Sequence, residues 1–318
     1  MTRAVILAGG FGTRLRPLTA TVPKAMIPLV NRPVIDYILD YLAGYGLNDI
    51  VITTNYLREQ TIEYLTRRRV GLTIAYPEEP APLGTAGSVK NAAISERMLV
   101  IQGDNITEID LRHLLRFHDE HGGLVTIALL PVLDPSLFGI AQLAATGKIL
   151  QFKEKPAPGE CFSNLANTGL YILEPEALEL VPSDRAFDFS KDLFPRLVAR
   201  GEVYGCVVEG FWADVGNLEG YLAASRWILE KGDFRCADTA EIDDCDIQGN
   251  VAIGEHARVD ASVVRGPAVI GSRATLRKSK LYSSVVLPGA LLADTTLHNS
   301  IIQQNAVIEG EEIVNCIR

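Results

Sequence analysis

The sequence is poor in features that would place it outside the cell, in a membrane or on a nucleic acid. Its five cysteines, Cys161, Cys206, Cys236, Cys245 and Cys316, are odd in number, scattered, and never arranged as CxxC. That pattern fits reduced thiols better than a disulfide framework or a zinc site. No apolar run approaches the ~18 residues of a membrane span. After Arg3 only about five apolar residues precede Gly9 and Gly10, fewer than the ~7–15 of a secretory h-region, so a signal peptide is not expected. A basic excess is missing as well. The net charge of −9 over 318 residues argues against a nucleic-acid partner and against a polybasic membrane anchor. A soluble, cytoplasmic protein is expected.

One absence is local. The first acidic residue is Asp36, and before it stand Arg3, Arg14, Arg16, Lys24 and Arg32. Within that stretch "AVILAGGFGTRLRPLTATVPKAMIP" runs an apolar strand into three glycines, two arginines and a proline–lysine pair. Gly9, Gly10 and Gly12 let backbone N–H groups approach a ligand, and the turn that follows adds charge. Together they describe a polyanion site, for which a nucleoside triphosphate is the obvious occupant. Two phosphate loops are excluded. No GxxxxGK[ST] is present, and Leu15 stands where the third glycine of GxGxxG belongs.

The chain has two rhythms. Up to about residue 235, short runs such as "AVILA", "DIVITTN", "MLVIQGD" and "LVTIALLPV" read as buried strands. Between them lie helical patterns. "PVIDYILDYLAGYG" places Ile35, Ile38, Leu39 and Leu42 on one face and ends on glycine, and "DLRHLLRFHDEHGG" repeats the design. This alternation predicts an α/β domain, residues 1–235, with a mostly parallel sheet flanked by helices. Ligands of such sheets bind beyond the carboxyl ends of the strands, where the opening glycines fall. From 236 to 318 the sequence stacks at a period of about 17: Ile247, Val264 and Leu281 align, as do Ile253, Ile270 and Leu287, and Val259 lies over Leu276. Apolar residues every five or six positions suit a coil of short strands that buries its interior only by stacking. A parallel β-helix of about four coils is expected, supported by the first domain or by a second copy.

"LAGGFGTRLRPLT" with "PKAMIPLVNRPVIDYIL" resembles the signature of the sugar-1-phosphate nucleotidyltransferases, and the resemblance continues through "PLGTAGSVKNA", "VIQGDN", "FKEKP", "NTGLYIL", "FDFSKDLFP" and "WADVG". It covers nearly all of the first domain, in the family's order. It implies the family's Rossmann-like nucleotidyltransferase fold and, as in several members, a left-handed β-helix at the C-terminus. The implied reaction is attack by a sugar 1-phosphate oxygen on the α-phosphorus of an NTP, with loss of pyrophosphate and formation of a nucleotide sugar. Bringing two anions together calls for charge neutralisation and positioning, and a divalent cation, Mg2+, fits that task.

The same resemblance assigns roles. Leu7, Ala8, Gly9, Gly10, Gly12, Thr13 and Gly103 line the nucleotide, and Arg14 and Lys24 meet the triphosphate. Asp104 and Asp214 are the metal carboxylates. Lys155 meets the phosphate of the sugar 1-phosphate, and Glu154 a sugar hydroxyl. Gly139, Asn167 and Gly169 line the sugar pocket. The base lies against Gly84, Thr85 and Ala86, whose small side chains are expected to leave backbone groups free for its edge. "GTAG", "DPSLFG" and "EIDLRHLLRFH" resemble the guanylyltransferase branch, so GTP and mannose 1-phosphate are the implied substrates.

Competing readings are a thymidylyl- or uridylyltransferase acting on glucose 1-phosphate, and a regulatory subunit without turnover. The second should have lost Arg14, Lys24, Asp104 or Asp214, and all four are present. An acyl transferase site in the β-helix would draw on His256 or His298. Assembly into a homo-oligomer is the expected job of that domain.

Overall fold

A computed structural model of the chain describes residues 2–68, 71–79, 81–183, 185–232 and 236–318. The expected boundary between residues 235 and 236 falls beside Arg235, which lies outside the described residues. In chain order the elements before it are β1 (Thr2–Leu7), β2 (Pro28–Leu29), β3 (Arg32–Pro33), α1 (Val34–Gly44), β4 (Asp49–Thr53), α2 (Arg58–Arg68), β5 (Thr73–Ala75), α3 (Gly84–Asn91), β6 (Arg97–Gln102), β7 (Asn105–Thr107), α4 (Leu111–His121), β8 (Val125–Pro131), β9 (Gly139–Leu143), β10 (Ile149–Glu154), β11 (Leu165–Leu173), α5 (Phe194–Arg200), β12 (Val203–Val207), β13 (Trp212–Asp214) and α6 (Leu218–Lys231). The chain forms two compact units, one of Met1–Gly10 and Tyr37–Trp212, the other of Phe11–Asp36 and Ala213–Arg318.

In the first unit the sheet order is β10-β9-β11-β6-β1-β4-β5, with β8 between β11 and β12. β5, β4, β1 and β6 run parallel. β1 and β6 are apolar on both faces because both faces are covered, and Ala4–Ile6 and Met98–Ile101 are fully buried. β11 enters antiparallel to β6, which continues the sheet without a crossover helix. Leu7 pairs with Thr53 on one side and Gln102 on the other. The three strands therefore end level, and Ala8–Gly10, Thr54–Asn55 and Gly103–Asp104 leave from one sheet edge, the edge where α/β sheets bind ligands. Both expected helices form. Ile35, Ile38, Leu39 and Leu42 of α1 are all buried. α4 is capped by Asp110, whose carboxylate accepts the Arg112 N–H at 2.9 Å, and stops at Gly122 with φ 65°.

In the second unit, residues 241–314 wind as a parallel β-helix of three faces. The first face stacks Ile242, Val259, Leu276, Leu292 and Ile308, and the second Ile247, Val264, Leu281, Leu297 and Ile313. Five strands on each of these faces exceed the expected four coils. On the third face Ile253 pairs with Ile270 and Ile270 with Val286, not with Leu287. The repeat shortens there. Two coils turn from the second face to the third through Gly249 and Gly266, and the next turns one residue sooner, through Ser283 at φ 47°. A 17-residue period thus becomes 16.

Candidate functional site

The sheet edge of the first unit holds the start of the glycine loop. Gly103 N–H donates to the Leu7 carbonyl at 2.9 Å and Ala8 N–H to Thr53 at 2.8 Å, so the ladder extends to the loop itself. A Cβ on Gly103 would lie 2.8 Å from the Leu7 oxygen, and glycine is required for this approach. A Cβ on Gly10 would meet nothing within 4 Å, leaving its backbone open on that side. Asp104 follows β6 directly, at the edge where the sequence places it. Asn105 is buried, and its amide donates to the Thr168 carbonyl at 2.5 Å, tying this turn to β11.

The base segment differs from expectation. The N–H groups of Ala86 and Gly87 both donate to the Phe187 carbonyl at 3.0 Å, and that of Thr85 to Asp188 Oδ1 at 3.1 Å. These donors are occupied by "FDFSKD", so the backbone at 85–87 is not free for a base edge. Gly84 (φ 73°) is held against the Phe187 backbone, 2.8 Å from where its Cβ would stand. What is open lies beside it. A cavity of about 410 Å³ is lined by Thr54, Asn55, Arg58 and Pro82 and by three acids, Glu59, Glu78 and Glu79. Glu79 Oε1 is buried there without a hydrogen-bond partner among the described residues. Burial pushes its carboxyl above the ordinary range, against Ser88 and Arg58, which lower it. The sequence reading missed Glu79, because an acid in "YPEEPAP" has the look of a solvated turn.

Gly139, Glu154 and Asn167, three residues expected at the sugar pocket, meet across β9, β10 and β11. Gly139 pairs with Glu154, and a Cβ on Gly139 would lie 2.7 Å from Glu154 Oε2 and 3.5 Å from the Asn167 Cβ. Asn167 Nδ2 donates to the Tyr171 hydroxyl at 3.1 Å, and its Oδ1 accepts the Gly169 N–H at 2.9 Å. β11 slips register between Asn167 and Tyr171, and Gly169 makes the slip possible at φ 76°. There it packs on Gln102 and Asn105, linking this part of β11 to the Asp104 turn. Lys155 ends β10 at φ 44°, with Nζ 3.9 Å from Glu154 Oε1. A left-handed lysine is strained, and such strain collects at functional positions.

The second unit holds the cations. Lys24 Nζ lies 3.5 Å from Asp214 Oδ1 and Arg14 3.7 Å from Oδ2. Gly12, at φ 60°, turns the chain into the short 3₁₀ turn Thr13–Leu15. A Cβ on Gly12 would fall 2.6 Å from Thr19 Cγ2, and the Thr19 hydroxyl donates to the Gly12 carbonyl at 2.8 Å. A Cβ on Gly216 would lie 2.5 Å from Asp214 Oδ1 and 3.0 Å from Arg14, so any side chain there would collide with this ion-paired carboxylate. Among the described residues no three His, Cys, Asp or Glu side chains form a metal cluster. A carboxylate of this kind, without two further acids beside it among the described residues, fits an ion that takes one or two carboxylates and fills its shell with phosphate oxygens and water.

The two β-helix histidines are placed otherwise. His256 is a left-handed corner residue, and His298 stacks on Tyr282 at 4.6 Å, 4° from parallel. No helix among the described residues is long and apolar enough to cross a membrane.

The model of the nucleotidyl transferase family matches residues 3–231. A UTP–glucose-1-phosphate uridylyltransferase of Synechocystis sp. is 33% identical, over 92% of this chain and 86% of its own. A mannose-1-phosphate guanyltransferase of Eremothecium gossypii is 37% identical, over 81% and 73%. A crystallised protein of Bacillus anthracis, assigned as a glucose-1-phosphate thymidylyltransferase, superposes with a TM-score of 0.65 at 26% identity, over 74% of this chain and 98% of its own. The chain belongs to the nucleotidyl transferase family, as one of its sugar-1-phosphate nucleotidyltransferases.

Proposed function

We propose that the protein transfers the guanylyl group of GTP to mannose 1-phosphate, forming GDP-mannose and pyrophosphate. The observation that supports the choice of base is Glu79, which lines the cavity together with Pro82 and whose Oε1 is buried without a hydrogen-bond partner among the described residues. Guanine presents two adjacent donors, N1–H and the 2-amino group, and a carboxylate accepts from both. Uracil and thymine present one N–H between two carbonyls, so the same carboxylate would face like dipoles. A site built for donors rejects a base that lacks them strongly. The choice of mannose follows the guanylyltransferases among the relatives, such as that of Eremothecium gossypii.

An oxygen of the sugar phosphate attacks the α-phosphorus, the α–β bridging bond breaks, and its electron pair leaves on pyrophosphate. Arg14 and Lys24 bind the β- and γ-phosphates and stabilise the charge that builds there. Lys155 binds the incoming phosphate, Glu154 accepts from a sugar hydroxyl, and Asn167, Gly139 and Gly169 shape the pocket around it. A divalent cation, Mg2+, is part of this proposal, with Asp104 and Asp214 as the metal carboxylates that the family resemblance implies. When bound, the ion neutralises phosphate charge and lowers the barrier between two anions. The five free cysteines support a reducing cytoplasmic setting, and the β-helix is the surface we assign to homo-oligomer assembly.

The test is Glu79→Gln. The amide keeps one acceptor but places a donor against guanine, so kcat/KM with GTP should fall about 10- to 100-fold while that with UTP does not. An unchanged GTP preference would remove Glu79 from base reading.

A further inference from the structure

The third face of the β-helix is unlike the other two. On the first and second faces, past the exposed first strand at Glu241–Asp243, the central residue of each strand is the most buried and its neighbours are more exposed. On the third, Ala252, Val269, Val285 and Ile301 form the outward row, outside the interior cluster that holds Ile253, Ile270, Val286 and Ile302. Yet this outward row is as buried as the inward one, at 3%, 1%, 1% and 0% exposure. Its cover comes from the same unit. α6 packs on Ala268–Ile270 and on β2, and the Tyr221 hydroxyl donates to the Pro28 carbonyl. Asn31, at the tip of the β2–β3 hairpin, donates Nδ2 to the Ile270 carbonyl at 3.1 Å, beside the Gly254 N–H at 2.8 Å. Further along the β-helix, Leu287 and Gln303 share a cavity of about 30 Å³ with Leu18, Ile27 and Pro28. Leu18, Ile27 and Leu287 are all buried there, so the two surfaces pack on each other.

The segment so fitted carries Lys24. Its side chain is 12% exposed and points to Asp214, while Ala25 and Ile27 beside it are buried. More than 240 residues separate Lys24 from Leu287, so no local pattern places them together.

We propose that the β-helix edge at Ile270 and Leu287 is a positioning element of the nucleotide site, with Leu287 and Asn31 as positioning residues that fix segment 18–31 and thereby the Lys24 ammonium. The proposal rests on the reading that Lys24 meets the triphosphate. Two substrates are unequally affected as a result: the NTP, which Lys24 binds, and not the sugar 1-phosphate, whose pocket lies in the other unit.

The experiment uses the full chain with Leu287→Ala, Leu287→Met, Asn31→Gly and Lys24→Ala. Asn31→Gly keeps the left-handed φ of 61° comfortable and removes only the amide. Amide exchange is followed by mass spectrometry in peptides covering 18–31, and KM for each substrate by pyrophosphate release. Leu287→Ala and Asn31→Gly should speed exchange in 18–31 and raise the NTP KM about tenfold, leaving the sugar 1-phosphate KM in place. Leu287→Met, close in volume, should restore both. Parent-like exchange and parent-like NTP KM in Leu287→Ala and Asn31→Gly, with the KM raised in Lys24→Ala, would overturn the proposal. If Lys24→Ala also leaves the KM unmoved, the reading of Lys24 fails, and exchange alone decides whether the β-helix holds the segment. Should Leu287→Ala fail to fold, Asn31→Gly carries both readouts.

Discussion

Lys155 occupies a backbone conformation that suits glycine better than lysine, at φ 44°. Relieving it gains about 1 kcal/mol, and glycine's greater freedom in the unfolded chain takes back ~0.5–1 kcal/mol. Lys155→Gly should therefore leave the urea midpoint close to the parent's while raising the KM for sugar 1-phosphate at least tenfold. A parent-like KM would remove Lys155 from the phosphate site. Strain kept where its relief costs no stability is what a binding lysine would show. Single residues were unevenly legible in the sequence. Arg14 and Lys24 stood out because no acid precedes Asp36. Glu79 did not, since its burial depends on β4, α2 and α3 meeting around it, which no local pattern records. The donors of Thr85–Gly87 were expected to be free and are instead bonded to Phe187 and Asp188, partners about 100 residues away.

At the scale of elements, the slip in β11 and the packing of α4 each have a measurable consequence. A methyl on Gly169 would fall 2.6 Å from Gln102 Cγ at a φ of 76°, so Gly169→Ala should cost ~1–3 kcal/mol and lower kcat by displacing the turn that bears Asp104. Parent-like kcat and stability would show that the slip tolerates a side chain. In α4, His118 is buried, with Nδ1 2.8 Å from the Thr126 hydroxyl and Nε2 3.1 Å from Glu174 Oε1. A carboxylate only accepts, so the neutral ring carries its proton on Nε2. Burial lowers the His118 pKa below 6.5, with Arg97 adding to the shift and Glu174 opposing it. The unfolded chain then binds the proton first, and stability falls as pH drops from about 6.5 toward the lowered folded value. The urea midpoint should decline over that window in the parent and less steeply in His118→Gln. Equal slopes would contradict the assignment. The β-helix shows how far repeats can be read: two faces are in the expected register, and the third is displaced by one residue because Ser283 takes a corner that Gly249 and Gly266 make longer.

For the whole molecule, the division into units follows packing more than chain order. Residues 11–36 belong with the β-helix although they lie between two stretches of the first unit, an association that no periodicity in the sequence encodes. The triplets "VAI" and "AVI" are buried at all three positions, as a strand covered on both sides requires. Interlaced chains of this kind should lose their units together. Trp212 reports on the first unit and Trp227, in α6, on the second. Fluorescence of Trp212→Phe and Trp227→Phe should give coincident urea midpoints, and separated midpoints would show that the units unfold alone.

The central claim is tested most directly by pyrophosphate release from the wild-type chain with Mg2+, crossing GTP, UTP, dTTP, CTP and ATP against mannose 1-phosphate and glucose 1-phosphate. The account predicts a clear maximum for GTP with mannose 1-phosphate. A maximum with UTP or dTTP and glucose 1-phosphate would contradict the reading of Glu79, and release from no pair would contradict the transferase reaction itself.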